Sequence, residues 1–193
     1  MKKIGLIVVI VVFSMGLIYA QEEAKEEQNG KAKIDWGWNA AVGYGSFSYD
    51  LNEVRQKGYW GGEIGITAKY GLFISYLNAQ YYAAHHKADY GESSSHWTGI
   101  AIGANYKILN WAYLGANYTF RWSRTTYEFN AENQGSYIDD VVDGTDHGVG
   151  VCVGMGIFKD VALEWNYSWV EVVQEYFPDM SGSINTFNLR FYF

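Results

Sequence analysis

Eight segments alternate apolar and polar side chains, their connections are long and short by turns, and the last segment ends on an aromatic residue. Together these features predict an all-β fold, an eight-stranded antiparallel up-and-down transmembrane β-barrel. Side chains of a strand point alternately to the two faces of its sheet, so an alternating segment has one apolar and one polar side. Aromatics make up 18% of the chain, with 22 Gly and a single Pro. After the first twenty residues no stretch approaches the roughly twenty consecutive apolar residues that a membrane helix needs. A crossing made by strands leaves instead short alternating segments, weak singly and persuasive when repeated.

The amino terminus differs in pattern from the rest of the chain. Lys2 and Lys3 precede an apolar run over 4–13, and small residues lead to Ala20 before Gln21. This is the layout of a secretory signal peptide cleaved after Ala20. A membrane-anchoring helix is the alternative, but the run is short for a span and is followed at once by charge. Residues 21–33 (QEEAKEEQNGKAK) are polar and highly charged, a flexible periplasmic leader. The barrel then occupies 34–193. Removing Lys2 and Lys3 leaves 12 of the 14 Lys+Arg against all 21 Asp+Glu, a net charge of −9. That balance excludes the basic stripe of a nucleic-acid binder. Cys152 is alone, so no intrachain disulfide or thiolate metal cluster forms, and a small buried thiol is the plain account of it.

The strands are expected over 35–48, 59–70, 72–83, 96–108, 112–127, 147–158, 161–172 and 184–193. In the first, Trp36, Trp38, Ala40, Val42 and Tyr44 oppose Gly37, Asn39, Ala41, Gly43 and Gly45. The fourth sets Ile100, Ile102, Ala104 and Tyr106 against Gly99, Ala101, Gly103, Asn105 and Lys107; the sixth sets Val149, Val151, Val153 and Met155 against Gly148, Gly150, Cys152 and Gly154. The third is less clean, and its more polar set (Ile74, Tyr76, Asn78, Gln80, Tyr82) is assigned inward. Gly71, 109–111 and Lys159-Asp160 form short turns; 49–58, 85–95, 128–146 and 174–182 form long loops. Short periplasmic turns and longer extracellular loops are the habit of outer-membrane barrels. The closing segment places Phe187, Leu189, Phe191 and Phe193 on one face. An aromatic edge with nothing behind it would aggregate unless paired, and pairing with the first strand removes it.

Alternation alone does not say which face is outside, because a soluble barrel alternates with its apolar side inward. The polar face is full of glycine, which a narrow eight-strand interior needs and a solvated surface does not. Its charges are few and of both signs: Glu63, Lys69, Lys107, Arg121, Glu164 and Arg190. Buried charges persist when paired, so ion pairs are expected to link the two Glu to these Arg and Lys groups. Aromatics also sort by depth, as interfacial Tyr and Trp do. Trp36, Trp38, Tyr70, Tyr106, Trp111 and Phe193 are expected at the periplasmic boundary. Trp60, Trp97, Trp122, Tyr167 and Trp169 are expected at the outer one.

Signal peptide, eight amphipathic strands and an ending on Phe191-Tyr192-Phe193 resemble the small outer-membrane barrels of the OmpX and OmpA transmembrane-domain type. The terminal aromatic with alternating apolar residues before it resembles the signal read by the barrel-assembly machinery, which the likeness implies as a transient partner. The signal-peptide layout predicts export through the secretory pathway, and the chain is expected to be a monomer among outer-membrane lipids with no cofactor. No functional motif is matched, so the likeness implies fold and place and not activity.

Four constellations are candidates for chemistry. Ser94 and His96 share a face, with Asp89 or Glu92 available to orient the His, as in a hydrolase triad at the outer-leaflet rim. Serine-rich loop residues beside a His are the bland account, and it is favoured. Glu128, Glu132, Asp139, Asp140, Asp143 and Asp146 could hold a hard cation, though a solvated, self-repelling loop is the simpler reading. His85, His86 and Lys87 could meet a metal or a sugar phosphate, but adjacent strand residues point opposite ways. The interior charges could line a pore, or form a packed plug once Tyr76 and Tyr82 are placed among them. The expectation is a non-enzymatic outer-membrane barrel whose loops serve adhesion, host or envelope interaction. A narrow porin-like channel is the first alternative and an outer-leaflet lipid-modifying enzyme the second.

Overall fold

A computed structural model describes residues 34–49, 58–88, 91–129, 139–174 and 177–193. The proposed signal peptide and leader lie outside the described residues. Eight strands follow in order: β1 (Asp35–Tyr49), β2 (Tyr59–Tyr70), β3 (Phe73–Ala88), β4 (Gly91–Leu109), β5 (Ala112–Phe129), β6 (Asp139–Phe158), β7 (Val161–Gln174) and β8 (Phe177–Tyr192). Each pairs antiparallel with the next, and β8 pairs with β1 to close the barrel. The closing register runs from Asn39 opposite Tyr192 to Tyr49 opposite Gly182. Phe193 and Trp38 extend it with two backbone hydrogen bonds of 3.0 and 2.8 Å. The terminal edge is thus consumed in the ladder, as closure requires.

The short connections are 71–72, 110–111 and 159–160, all at one end, the periplasmic end in barrels of this architecture. Gly71 has φ 55°, a left-handed conformation that favours glycine. At the other end the strands run further than the alternation suggested. The expected loop 85–95 is mostly strand, since β3 continues to Ala88 and β4 starts at Gly91. Likewise β6 begins at Asp139 inside the expected loop 128–146, and β8 begins at Phe177 inside 174–182. Above the membrane neither face of a hairpin needs to be apolar, so the ladder continues while the hydrophobic signal stops.

The faces are inverted relative to a soluble barrel. Val42 is 59% exposed, Ile64 61%, Val153 44% and Leu163 47%, whereas Arg121, Glu164 and Arg190 are each 3% exposed. The outward set is the one that a bilayer, not water, would cover. The inward set of β3 is Ile74, Tyr76, Asn78, Gln80 and Tyr82, all buried.

Glycine makes room for rings within this narrow lumen. Tyr59, Tyr82, Tyr76 and Tyr113 lie directly opposite Gly45, Gly61, Gly103 and Gly154 across their strand pairs. A Cβ built on Gly103 or Gly154 would run into the Tyr76 or Tyr113 ring. The ring covers the bare backbone of its partner, which is how aromatic residues rescue glycine in sheets.

Candidate functional site

Polar chemistry collects in two places, the lumen and the rim above the outer aromatic belt. In the lumen the register explains the central cluster. Arg190 and Glu63 both lie opposite Ala41, one on each side of β1. The small Ala41 side chain leaves space for Arg190 to reach across the strand. Its Nη2 donates to Glu63 Oε2 at 2.7 Å and its Nε to Glu164 Oε2 at 2.7 Å, while Nη1 donates to Asn39. Glu63 also accepts from Asn78, Gln80 and Tyr82 at 2.9, 2.8 and 2.7 Å. Glu164 accepts from the Tyr113 hydroxyl. One guanidinium thus holds two carboxylates that each accept from neutral donors as well, the condition under which buried charge is tolerated.

Three expected partners differ. Arg121 binds neither Glu; its Nε donates to Asp146 Oδ1 at 2.7 Å, with both side chains buried. The two residues are direct register partners on β5 and β6. Asp146 falls within the acidic loop expected from the sequence, yet it has the parity of Gly148 and Gly150 and faces inward, 1% exposed. Lys69 and Lys107 form no ion pair with Glu63 or Glu164 among the described residues. They sit at the short-turn mouth, and Lys69 Nζ lies 5.2 Å from the centre of the Tyr192 ring.

Toward the outer end an apolar plug of Phe47, Tyr59, Tyr82, Ala84, Trp97, Val170, Val172 and Ile184 fills the lumen. Phe47 stacks on Trp97 at 4.6 Å and tilts against Tyr59 at 4.5 Å. Trp97 is therefore in the core, 4% exposed, not in the outer belt. Counting back two from inward-facing Gly99 gives the reason. Toward the periplasmic end Tyr113, Cys152 and Ala162 pack with Tyr192. Between these layers lies a cavity of about 20 Å³ lined by Glu63, Arg121 and Arg190, room for about one water.

Two bands of rings circle the outer surface. Near the short turns Tyr70 stacks on Phe73 at 5.8 Å and Phe73 tilts against Tyr106 at 5.0 Å, with Trp36, Trp38, Trp111 and Phe193 exposed there. Phe120 with Trp122 and Tyr167 with Trp169, each pair at 4.8 Å, mark the other level beside Trp60.

Above that level lies the rim. Ser94 and His96 face outward together, but they do not bond each other. His96 Nδ1 is 2.9 Å from the Tyr81 hydroxyl, and Ser94 Oγ is 3.1 Å from His85 Nδ1. His85 is the register partner of Ser94. Its Nε2 is 3.6 Å from Glu92 Oε2, and its side chain is 60% exposed. That carboxylate is beyond hydrogen-bond reach of the ring, so in this geometry Glu92 does not orient His85 as the acid of a triad would. Asp89 and Glu132 lie outside the described residues, as do the side chains of His86, Lys87, Glu128, Asp139 and Asp140. Of the acidic stretch, Asp143 is claimed by Arg124 through two bonds of 2.8 and 3.0 Å. Hydrogen bonding from Arg124 holds the Asp143 carboxyl below its ordinary range. Among the described residues no group of three or more His, Cys, Asp or Glu side chains could hold a metal ion.

A closed eight-strand barrel, apolar outside and ion-paired within, is the transmembrane barrel of bacterial outer membranes in its smallest form. No family model matches the sequence, and no curated protein matches it. Among solved structures the chain is similar to Neisserial surface protein A, at 14% identity and TM-score 0.53, over 83% of this chain and 99% of that one. It is also similar to Ail, the attachment invasion locus protein of Yersinia pestis, at 8% identity and TM-score 0.55, over 82% and 97% of the two chains. The outer-membrane protein OprG of Pseudomonas aeruginosa matches at 6% identity and TM-score 0.51, over 84% and 98%. Identities this low carry the fold, and the fold is the eight-stranded outer-membrane barrel.

Proposed function

We propose that this chain is a non-enzymatic surface protein of the bacterial outer membrane, which meets external partners through the β-structure raised above its outer aromatic belt. The observation that carries the reading is the contrast between a filled lumen and an extended rim. A cavity of about 20 Å³ is lined by Glu63, Arg121 and Arg190 beside an apolar plug, and buried ion pairs surround it, so the barrel interior serves as scaffold. The rim presents His85, His96, Arg124 and Asp143 on strands that continue beyond Trp122. Binding residues concentrate where a rigid scaffold lifts chemistry into solvent. The surface and attachment proteins named above support the reading by analogy of fold. Export through the secretory pathway and insertion by the barrel-assembly machinery, reading Phe187, Leu189, Phe191 and Phe193, complete it.

The test pairs two measurements. Bacteria displaying the chain should adhere to epithelial monolayers, and a variant with the β3–β4 and β5–β6 extensions shortened to the belt should fold yet lose adherence. The same protein in planar bilayers should give no discrete conductance steps. Undiminished adherence by the shortened barrel, or stable single-channel steps, would reject the proposal. The lipid-modifying alternative has the Ser94–His85 contact in its favour. Under the proposal, lipid A from cells expressing the chain keeps its mass.

A further inference from the structure

We infer that the periplasmic mouth of the barrel is a binding site for the phosphate headgroup of an anionic phospholipid of the adjacent leaflet. A cavity of about 520 Å³ opens there, bounded by Lys69, Lys107 and Lys159 and by the Tyr113 and Tyr192 side chains. That volume is in the range of small-molecule sites. No carboxylate is among its lining residues. The two nearest buried carboxylates are already taken, Glu63 by Arg190, Asn78, Gln80 and Tyr82, and Glu164 by Arg190 and Tyr113. Asp35, opposite Lys69 in the β1–β2 register, and Asp160 are exposed and stand outside the lining. Cation therefore exceeds anion inside the cup. Its floor is closed by the packing of Tyr113, Cys152, Ala162 and Tyr192, so it is a dead end and not a stage on a path.

The choice of a lipid over a free anion rests on the wall. Leu109, Trp111, Ile157 and Phe158 line the same cavity and are 43–74% exposed, an apolar wall open at the hairpin turns. Register shifts at Lys107/Leu109 and Gly156/Phe158 bring both hairpins into this arrangement, and bulges at barrel rims characteristically re-aim side chains. A ligand with a phosphate for the lysines and an acyl chain for the apolar wall satisfies both halves. Lysines that merely reach past the rim to water would require no such wall.

Full-length protein is mixed in detergent with phosphatidylglycerol, with phosphatidylcholine or with inorganic phosphate, and retained adducts are measured by native mass spectrometry. Phosphatidylglycerol should be retained over phosphatidylcholine, and Lys69→Gln/Lys107→Gln should weaken that retention roughly thirtyfold, given the attraction each lysine contributes toward anionic headgroups. Lys69→Arg/Lys107→Arg should retain the lipid, which separates lost charge from lost folding. Equal retention by wild type and the Gln variant would overturn the inference, as would equal retention of the two lipids. Inorganic phosphate that displaces the lipid at equal concentration would overturn the lipid assignment in favour of a free anion.

Discussion

Arg190 is the residue whose loss should do most damage to the barrel. Its guanidinium makes 2.7 Å contacts to both Glu63 and Glu164 and a third bond to Asn39. Arg190→Met removes the cation and strands two carboxylates in a lumen where their side chains are only 6% (Glu63) and 1% (Glu164) exposed. Breaking one buried pair by removing a single partner costs about 3–5 kcal/mol. Two carboxylates are orphaned here, but they retain neutral donors from Asn78, Gln80, Tyr82 and Tyr113, so the lower part of that range is expected for the whole substitution. The penalty comes from uncompensated charge and not from a missing contact. Arg190→Met combined with Glu63→Gln and Glu164→Gln should therefore recover most of the loss, because a neutral replacement of a buried ion cluster is often close to isoenergetic. Equilibrium urea unfolding in lipid vesicles, followed by tryptophan fluorescence, measures both. A loss below about 1 kcal/mol in the single variant, or a combined variant no more stable than the single one, would refute the reasoning.

Further outcomes follow from the same geometry. Val151→Arg, on the lipid face of β6, should cost about 2–4 kcal/mol by the same unfolding assay, the depth-dependent penalty of a barrel-exterior cation. Gly103→Val should cost about 1–3 kcal/mol through overlap with the Tyr76 ring, seen as a lower temperature for the heat-induced gel shift. Arg124→Gln should return the Asp143 carboxyl toward its ordinary value, read by carbon-detected titration. Its folded value is held low by Arg124, so the pairing's contribution to stability is present above the ordinary carboxylate range and lost as pH falls through the lowered value. Arg121→Gln should unsettle Asp146 and leave the Glu63–Arg190–Glu164 cluster in place, since the two ion clusters share no bond.

Strand number, closure and facing were legible because lipid and a narrow lumen impose a strict period of two over the membrane-crossing residues. The runs Val149–Val151–Val153 and Gly148–Gly150–Gly154 left only the choice of which face is outside, and glycine decided it. Strand ends were illegible for the same reason: above the belt, β3 continues through His85 and β4 through Glu92 with no apolar face to reveal them. Extending the inward set of β6 by one step from Gly148 reaches Asp146, and extending that of β4 from Gly99 reaches Trp97; each step predicts what the fold shows. The expectation that Lys69 and Lys107 join the ion cluster failed because parity gives a face and not a depth. Lys69 lies six residues beyond Glu63 on β2, and both lysines line the cavity at the short-turn mouth. The rim contacts depend on which hairpin residues stand opposite each other, as with His85 and Ser94, and a single strand's pattern carries no register.

The sharpest test of the inside-out arrangement is a nitroxide scan along 148–155 of β6, in a Cys152→Ser background and in lipid bilayers. Oxygen accessibility should peak at 149, 151, 153 and 155 and fall at 148, 150 and 154. Maxima at the even positions, or no period of two, would contradict the account.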